Sequence, residues 1–129
     1  MAFKIYSTDD NRVPGIEYLP ASTITPKVGM ALTMSSGKLA VASGSSTPLY
    51  ISVIEKSSAC KSGEIIPVIR VGKDIIFETS FSVDPSSLNV GDKVTIDSSG
   101  MNVTATKTSG VAEIVYMDMD AGAMCRVRF

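Results

Sequence analysis

Histidine and tryptophan are both absent from this chain of 129 residues. Histidine is the side chain that most often serves as a general acid or base and as a metal ligand, so its absence argues against an enzyme. Without tryptophan, and with only 4 Tyr and 4 Phe, the chain has few aromatic platforms for stacking sugars or single-stranded nucleic acid. The sequence therefore favours a binding protein over a catalyst.

Cysteine is scarce, and the two thiols, Cys60 and Cys125, follow neither a disulfide framework nor a zinc-ligand spacing. A reducing compartment is expected. Cys60 lies between Lys56 and Lys61, and nearby cations can lower the pKa of a thiol. However, no histidine is available to act as the base for a cysteine nucleophile, so neither thiol is predicted to be catalytic.

Excess charge and long apolar runs are also missing. The formal net charge is -1, so no long-range attraction to nucleic acid is expected. No apolar run approaches about 20 residues and the chain starts without a secretory pattern, so no membrane partner is expected. Residues 9–11 and 118–122 carry acidic side chains but lack the spacing of a calcium loop. We therefore predict no catalytic residue, no cofactor and no metal site.

Short period-two runs rich in β-branched residues dominate from residue 28 onwards, separated by Gly and Ser turns. The predicted strands cover 28–34, 38–42, 48–54, 64–71, 74–81, 90–97, 101–106, 111–117 and 123–129. Strands of this kind bury one face only by closing into a barrel or by stacking two sheets. The prediction is an all-β fold, with one β domain over 28–129.

Two segments of this domain echo each other. Residues 28–34 and 90–96 share a Val-Gly start and an alternating apolar pattern, and each runs into a Ser-Gly turn. The echo predicts a duplicated hairpin unit. Within 64–71, Pro67 predicts an edge strand, because proline has no N–H for a second ladder. At the end of the chain, Cys125, Val127 and Phe129 share one face of the last strand, so the terminus is expected to lie inside the fold.

Residues 1–27 contain Pro14, Pro20 and Pro26 and no helical periodicity, which predicts an extended N-terminal arm. Its apolar and aromatic side chains are the candidate contacts with a partner, namely Phe3, Ile5, Tyr6, Ile16, Tyr18 and Leu19. Extended segments of this type bind by adding a strand to the edge of a partner's sheet. The sequence leaves open the alternative that the arm covers an edge of its own barrel.

The pattern over about residues 24–129 resembles the head decoration, or capsid cementing, proteins of tailed bacteriophages, including the small β-rich lambda-type head-stabilising proteins. The segments that carry the resemblance are 28–32, 37–39, 48–51, 63–68, 91–94 and 124–129. The resemblance implies a small β-barrel or β-sandwich (β-tulip-like) with an extended arm.

The resemblance also implies a function and a location. The expected partner is the major capsid protein, to which the protein would bind either as a trimer or as single copies. The expected location is the capsid surface of a virion made in the host cytoplasm. Such a protein would stabilise the head lattice. The sequence leaves open another phage structural role, as a head fibre base or tail protein, and a cellular binding module.

Overall fold

The computed structural model describes residues 2–9, 12–118 and 123–129, and within these ranges it contains strands and no α-helix. The all-β prediction is confirmed. The strands are β1 (Lys4–Thr8), β2 (Ile16–Ala21), β3 (Ala31–Ser35), β4 (Lys38–Val41), β5 (Tyr50–Ser52), β6 (Glu64–Arg70), β7 (Ile75–Ser80), β8 (Lys93–Val94), β9 (Ala112–Asp118) and β10 (Met124–Arg128).

The strands form two assemblies that pack together. One is a closed barrel with the order β2-β4-β3-β5-β6, and the other is a five-stranded sheet with the order β1-β7-β10-β9-β8. The expected small barrel or sandwich is therefore what the chain builds. Of the nine predicted strands, the one over 101–106 is reduced to isolated bridges at Val103, which pairs with Phe81 and Ile96.

Two apolar cores hold these assemblies. The first fills the barrel, where Leu32, Leu39, Ile66 and Val68 are almost fully buried. The second lies between the barrel and the sheet and includes buried side chains of both. Its members from the barrel are Ala31, Ile51 and Ile69, and its members from the sheet include Phe77, Ile114, Val127 and Phe129. The barrel strands therefore bury apolar side chains both inside the barrel and against the sheet.

The last strand follows the predicted alternation. Cys125 and Val127 are fully buried, and Phe129 beyond them is 5% exposed. Arg126 and Arg128 face the other side and are half-buried. Their backbone pairs with β7 on one side and β9 on the other, so the C-terminal strand is central to its sheet.

The N-terminal segment lies on the protein's own sheets. β1 pairs antiparallel with β7, and β2 pairs antiparallel with β6 over six residue pairs. The strands of the predicted arm, β1 and β2, thus both form part of the fold. This is the second of the two placements that the sequence left open.

The edge position predicted for Pro67 is wrong, because β6 lies between β2 and β5. The missing N–H of Pro67 removes no hydrogen bond from either ladder of β6. The Pro67 carbonyl accepts from the Val53 N–H at 3.3 Å, so residue 67 directs its backbone groups towards β5. The ladder with β5 has already ended there, at the pair Ser52–Val68.

Three backbone hydrogen bonds of the barrel have counterparts in the second half of the chain, and every donor and acceptor is shifted by the same number of residues. Each bond joins the start of a hairpin, at its first turn or strand, to the strand that follows that hairpin. The first-half bonds are Gly29 N to Ser52 O (2.8 Å), Ser52 N to Met30 O (2.9 Å) and Leu49 N to Leu32 O (2.9 Å). Their counterparts are Gly91 N to Ile114 O (2.8 Å), Ile114 N to Asp92 O (2.9 Å) and Val111 N to Val94 O (3.0 Å).

The parallel contact that closes the barrel also recurs. Ala21 pairs in parallel with Leu39, and Phe81 pairs in parallel with Val103. In both cases the next residue is a serine whose N–H and hydroxyl donate to the same carbonyl. Ser22 donates to Leu39 at 2.9 and 2.7 Å, and Ser82 donates to Val103 at 2.8 and 3.3 Å. We name residues 16–70 the first unit and residues 75–129 the second unit.

Two equivalent glycines, Gly29 and Gly91, occupy similar turns, but only Gly29 lies against the segment that leads into β1. Gly29 and Gly91 both have positive φ, at 81° and 98°. A Cβ on Gly91 would meet open space, whereas a Cβ on Gly29 would lie 2.5 Å from the Ala2 Cβ and 2.8 Å from the Phe3 oxygen. Because the two turns have similar backbone conformations, a difference in the stability cost of the same substitution at Gly29 and Gly91 measures the contact between Gly29 and the segment that leads into β1.

We expect Gly91→Ala to cost about 1–2 kcal/mol of stability, the usual penalty for positive φ. Gly29→Ala should cost about 1–3 kcal/mol more, because the methyl group displaces the backbone before β1. Urea unfolding followed by circular dichroism measures both free energies. Equal costs would show that residues 2 and 3 do not lie against Gly29.

Candidate interaction surfaces

The six predicted contact residues divide between the interior and two surfaces. Phe3 is buried, and Leu19 is half-buried against the barrel core. The other four are exposed by 39% or more, Ile5 and Tyr6 on β1, and Ile16 and Tyr18 on β2. The structure therefore places two of the six in cores and does not bring the remaining four into one cluster.

Ile16 and Tyr18 belong to a continuous apolar surface on the outside of the barrel. Tyr18 pairs directly with Pro67, and Pro20 pairs with Ile65. Paired residues of antiparallel strands share a face, so these side chains adjoin. Tyr18 is 68% exposed, and Ile65 and Ile16 are 57% and 54% exposed. We name this surface, Ile16, Tyr18, Pro20, Ile65 and Pro67, the first-unit face.

The opposite face of β2 carries Glu17, Leu19 and Ala21, of which Leu19 and Ala21 pack into the barrel core. Glu17 pairs with Val68 in the register, and its side chain stays 35% exposed. The Glu17 carboxylate avoids isolation by accepting two bonds from Arg70, each 2.9 Å long. This bond with Arg70 is also what lowers the pKa of Glu17. The six contact residues predicted from the sequence do not include Ile65 or Pro67. Pro67 is predicted only to mark an edge strand, and the apolar pair 65–66 indicates a strand with both faces apolar.

The backbone edge of β2 next to this face is open along most of its length. Among the described residues, β4 pairs with β2 at Ala21 alone, while β6 pairs with all six residues of β2 on the other side. The side of β2 away from β6 therefore has no paired strand along residues 16–19. Such an edge is a template for another strand.

The second surface is an arginine–tyrosine cluster on the outer face of the sheet. The Arg126 guanidinium lies 3.7 Å from the centre of the Tyr6 ring and 4.4 Å from that of Tyr116. Its Nε donates to Glu78 at 3.3 Å. These contacts join β1, β7, β9 and β10, so the cluster fixes β1 to the sheet. No sequence signal predicted that Tyr6 and Arg126 would meet.

The described residues form two depressions beside these surfaces. One of about 250 Å³ is lined mainly by apolar groups such as Pro48, Leu49, Val71 and Phe129. Another of about 360 Å³ has Arg12, Arg70 and Asp74 in its lining.

The two thiols lie inside the cores. Cys60 is 2% exposed in the barrel, and burial raises its pKa, with the Glu64 carboxylate adding to the effect. Burial raises the pKa of Cys125 to about 12. Because the thiolate is the reactive form, both side chains act as small apolar core residues at neutral pH.

Carboxylates are dispersed over the described part of the chain, where no group of three or more acidic or cysteine side chains could hold a metal ion. Of the acidic segments noted in the sequence, residues 10, 11 and 119–122 lie outside the described residues. No helix within the described ranges is long and apolar enough to cross a membrane.

Comparison with known proteins gave no match: no family model, no curated protein and no solved structure matches this chain.

Proposed function

We propose that this protein is a structural virion protein that binds the outer surface of a phage capsid and stabilises the head lattice. The observation that carries the proposal is the first-unit face, where three large apolar side chains adjoin on a surface that no described part of the chain covers. Contiguous exposed apolar patches are characteristic of protein–protein contact sites. The partner in this proposal is the major capsid protein.

The size of the first-unit face suits the central part of a larger contact. A standard interface uses about 20–30 residues per partner, and a few central aromatic or apolar side chains supply most of the affinity. Tyr18 has the chemistry of such a central residue, since it buries a large ring at a small cost in conformational entropy. Three positions around a capsid threefold axis, or a trimer of the protein, would repeat this contact.

Binding to tailless heads tests the proposal. Purified protein is mixed with expanded empty heads assembled without tails, and co-sedimentation is followed by electron cryo-microscopy. We expect saturable binding and additional density on the outer surface of the heads. Protein that stays in the supernatant with heads, but sediments with tails or fibres, would instead support the other phage structural role. Analytical ultracentrifugation of the free protein measures whether it is a trimer before binding.

A further inference from the structure

We propose that the open edge of β2 is an acceptor for an extended segment of the partner protein, which adds to the first unit as an extra antiparallel strand. This inference rests on the proposed function, under which the partner is the major capsid protein. It specifies how the first-unit face is used: the side chains of the face and the backbone beside it bind the same segment.

The direction of the backbone groups follows from two hydrogen bonds at the end of β2. The Ala21 carbonyl accepts from the Gly63 N–H at 2.8 Å, on the side of β6, and the Ser22 N–H donates to Leu39 at 2.9 Å, on the side of β4. Successive residues of a strand direct these groups to opposite sides. The N–H and C=O groups of Ile16 and Tyr18 therefore point away from β6, into the open edge.

The second unit shows what an occupied edge of this kind looks like. Glu17 pairs with Val68 as Phe77 pairs with Val127, so β2 is the counterpart of β7. The edge of β7 that corresponds to the open edge of β2 is covered by β1, with Ser7 opposite Ile76 and Lys4 opposite Glu78. The fold itself thus adds a strand at this place in one unit and leaves the same place open in the other.

The occupant of the first unit is not the N-terminal strand of a second copy. Phe3 is 2% exposed and its ring packs 5.2 Å from that of Phe129, which packs 5.5 Å from that of Phe77. The counterparts of Phe77 and Phe129 in the first unit are Glu17 and Arg70, which form an ion pair. A transferred β1 would therefore lose its aromatic contacts and meet charged groups instead.

The outer side chains define the chemistry of the segment that fits. At the covered edge of the second unit, Lys4 of β1 pairs with Glu78, beside Arg126. At the corresponding places the first unit has Tyr18 and Pro67, which are uncharged. The fitting segment therefore has an apolar side chain where β1 has Lys4, and a polar side chain on the alternate position that faces the Glu17–Arg70 pair.

Hydrogen exchange at single-residue resolution tests strand addition directly. The full-length protein is compared free and bound to empty heads. We expect the amides of Ile16 and Tyr18 to exchange at least about tenfold more slowly in the bound state. Glu17 and Leu19 are internal controls, because their amides already face β6 and are protected in both states. This alternation distinguishes a new ladder from a surface that is merely covered.

A pair of substitutions at one position separates the backbone from the side chain. Tyr18→Ala removes the ring and keeps the N–H, whereas Tyr18→Pro removes both. The N–H of Tyr18 faces the open edge, and β2 already contains Pro20, so the proline variant should fold with a melting temperature close to that of Tyr18→Ala. We expect Tyr18→Pro to bind heads about tenfold more weakly than Tyr18→Ala, because one hydrogen bond is lost.

The outcomes distinguish this inference from the proposed function. If Tyr18→Ala and Tyr18→Pro bind heads with equal affinity, and the exchange rates of the Ile16 and Tyr18 amides do not change on binding, strand addition is overturned. The proposed capsid role would still stand. Absence of binding to heads by the unsubstituted protein would overturn both. If Tyr18→Pro does not fold, the exchange experiment on the unsubstituted protein still decides.

Discussion

Phe3→Ala is expected to lower the free energy of unfolding by about 3–5 kcal/mol, the usual range for an aromatic side chain removed from a core. Phe3 is 2% exposed, its ring packs edge-on against Phe129, and its N–H donates to the Gly29 carbonyl at 3.0 Å. Removing the ring opens a cavity between β1 and the end of β10. Urea unfolding followed by far-ultraviolet circular dichroism measures the loss.

Val13→Ala is the matched control, because Val13 lies in the same N-terminal segment and is 87% exposed. Its cost should stay within about 0.5 kcal/mol. Deletion of residues 2–8 should destabilise the protein at least as much as Phe3→Ala, since β1 also supplies the Tyr6 ring on Arg126. A cost below about 1 kcal/mol for Phe3→Ala, against the range expected for a buried ring, would show that β1 is not part of the folded protein in solution.

The strand character of the N-terminal segment could be predicted from the sequence, but its binding place could not. Phe3 and Ile5 alternate with Lys4, which indicates a strand with one apolar face. The groups that bind this face, Phe77 and Phe129, come from β7 and from the end of the chain. A pattern within one segment reports which side chains share a face and says nothing about the layer that covers the face.

The echo between the two halves was visible in the sequence only around its glycines. Gly29 and Gly91 are common to the two halves because both turns need positive φ. Elsewhere the equivalent core positions exchange size. Tyr50 in the first unit corresponds to Ala112 in the second, and Ala21 corresponds to Phe81. A core of constant volume tolerates such exchanges, and they erase the similarity that sequence comparison detects.

The pattern of β2 shows why only part of the candidate site could be predicted. Alternation places Ile16 and Tyr18 on one face and Glu17 and Leu19 on the other, but hydrophobicity alone would turn Ile16 and Tyr18 inwards. The structure turns Leu19 and Ala21 into the barrel instead. Glu17 shares their face, but its side chain is 35% exposed and bonds to Arg70, whose side chain is 64% exposed. Ile16 and Tyr18 are therefore outside the barrel, a placement that the period of the strand alone does not decide.

A charge placed on the first-unit face should disrupt head binding while leaving the fold intact. We expect Tyr18→Asp and Ile65→Asp each to weaken binding by about 30-fold to 1000-fold, equivalent to about 2–4 kcal/mol at a central contact residue. Each new carboxylate would have to lose its water inside an apolar contact, without a partner. Because both side chains are more than half exposed, melting temperatures should change little.

Val90→Asp is the control with the same change in charge. Val90 is 62% exposed and lies in the turn before β8, outside the first-unit face. Heads are titrated with each variant, and binding is measured by co-sedimentation. We expect Val90→Asp to bind heads as tightly as the unsubstituted protein does, and Tyr18→Asp and Ile65→Asp to bind much more weakly. Weakening of all three variants to a similar degree would indicate general repulsion between the heads and negative charge, and the first-unit face would then not be the site of contact. Weakening confined to Tyr18→Asp and Ile65→Asp would place the contact on this face, since the three variants carry the same added charge and differ in where it lies.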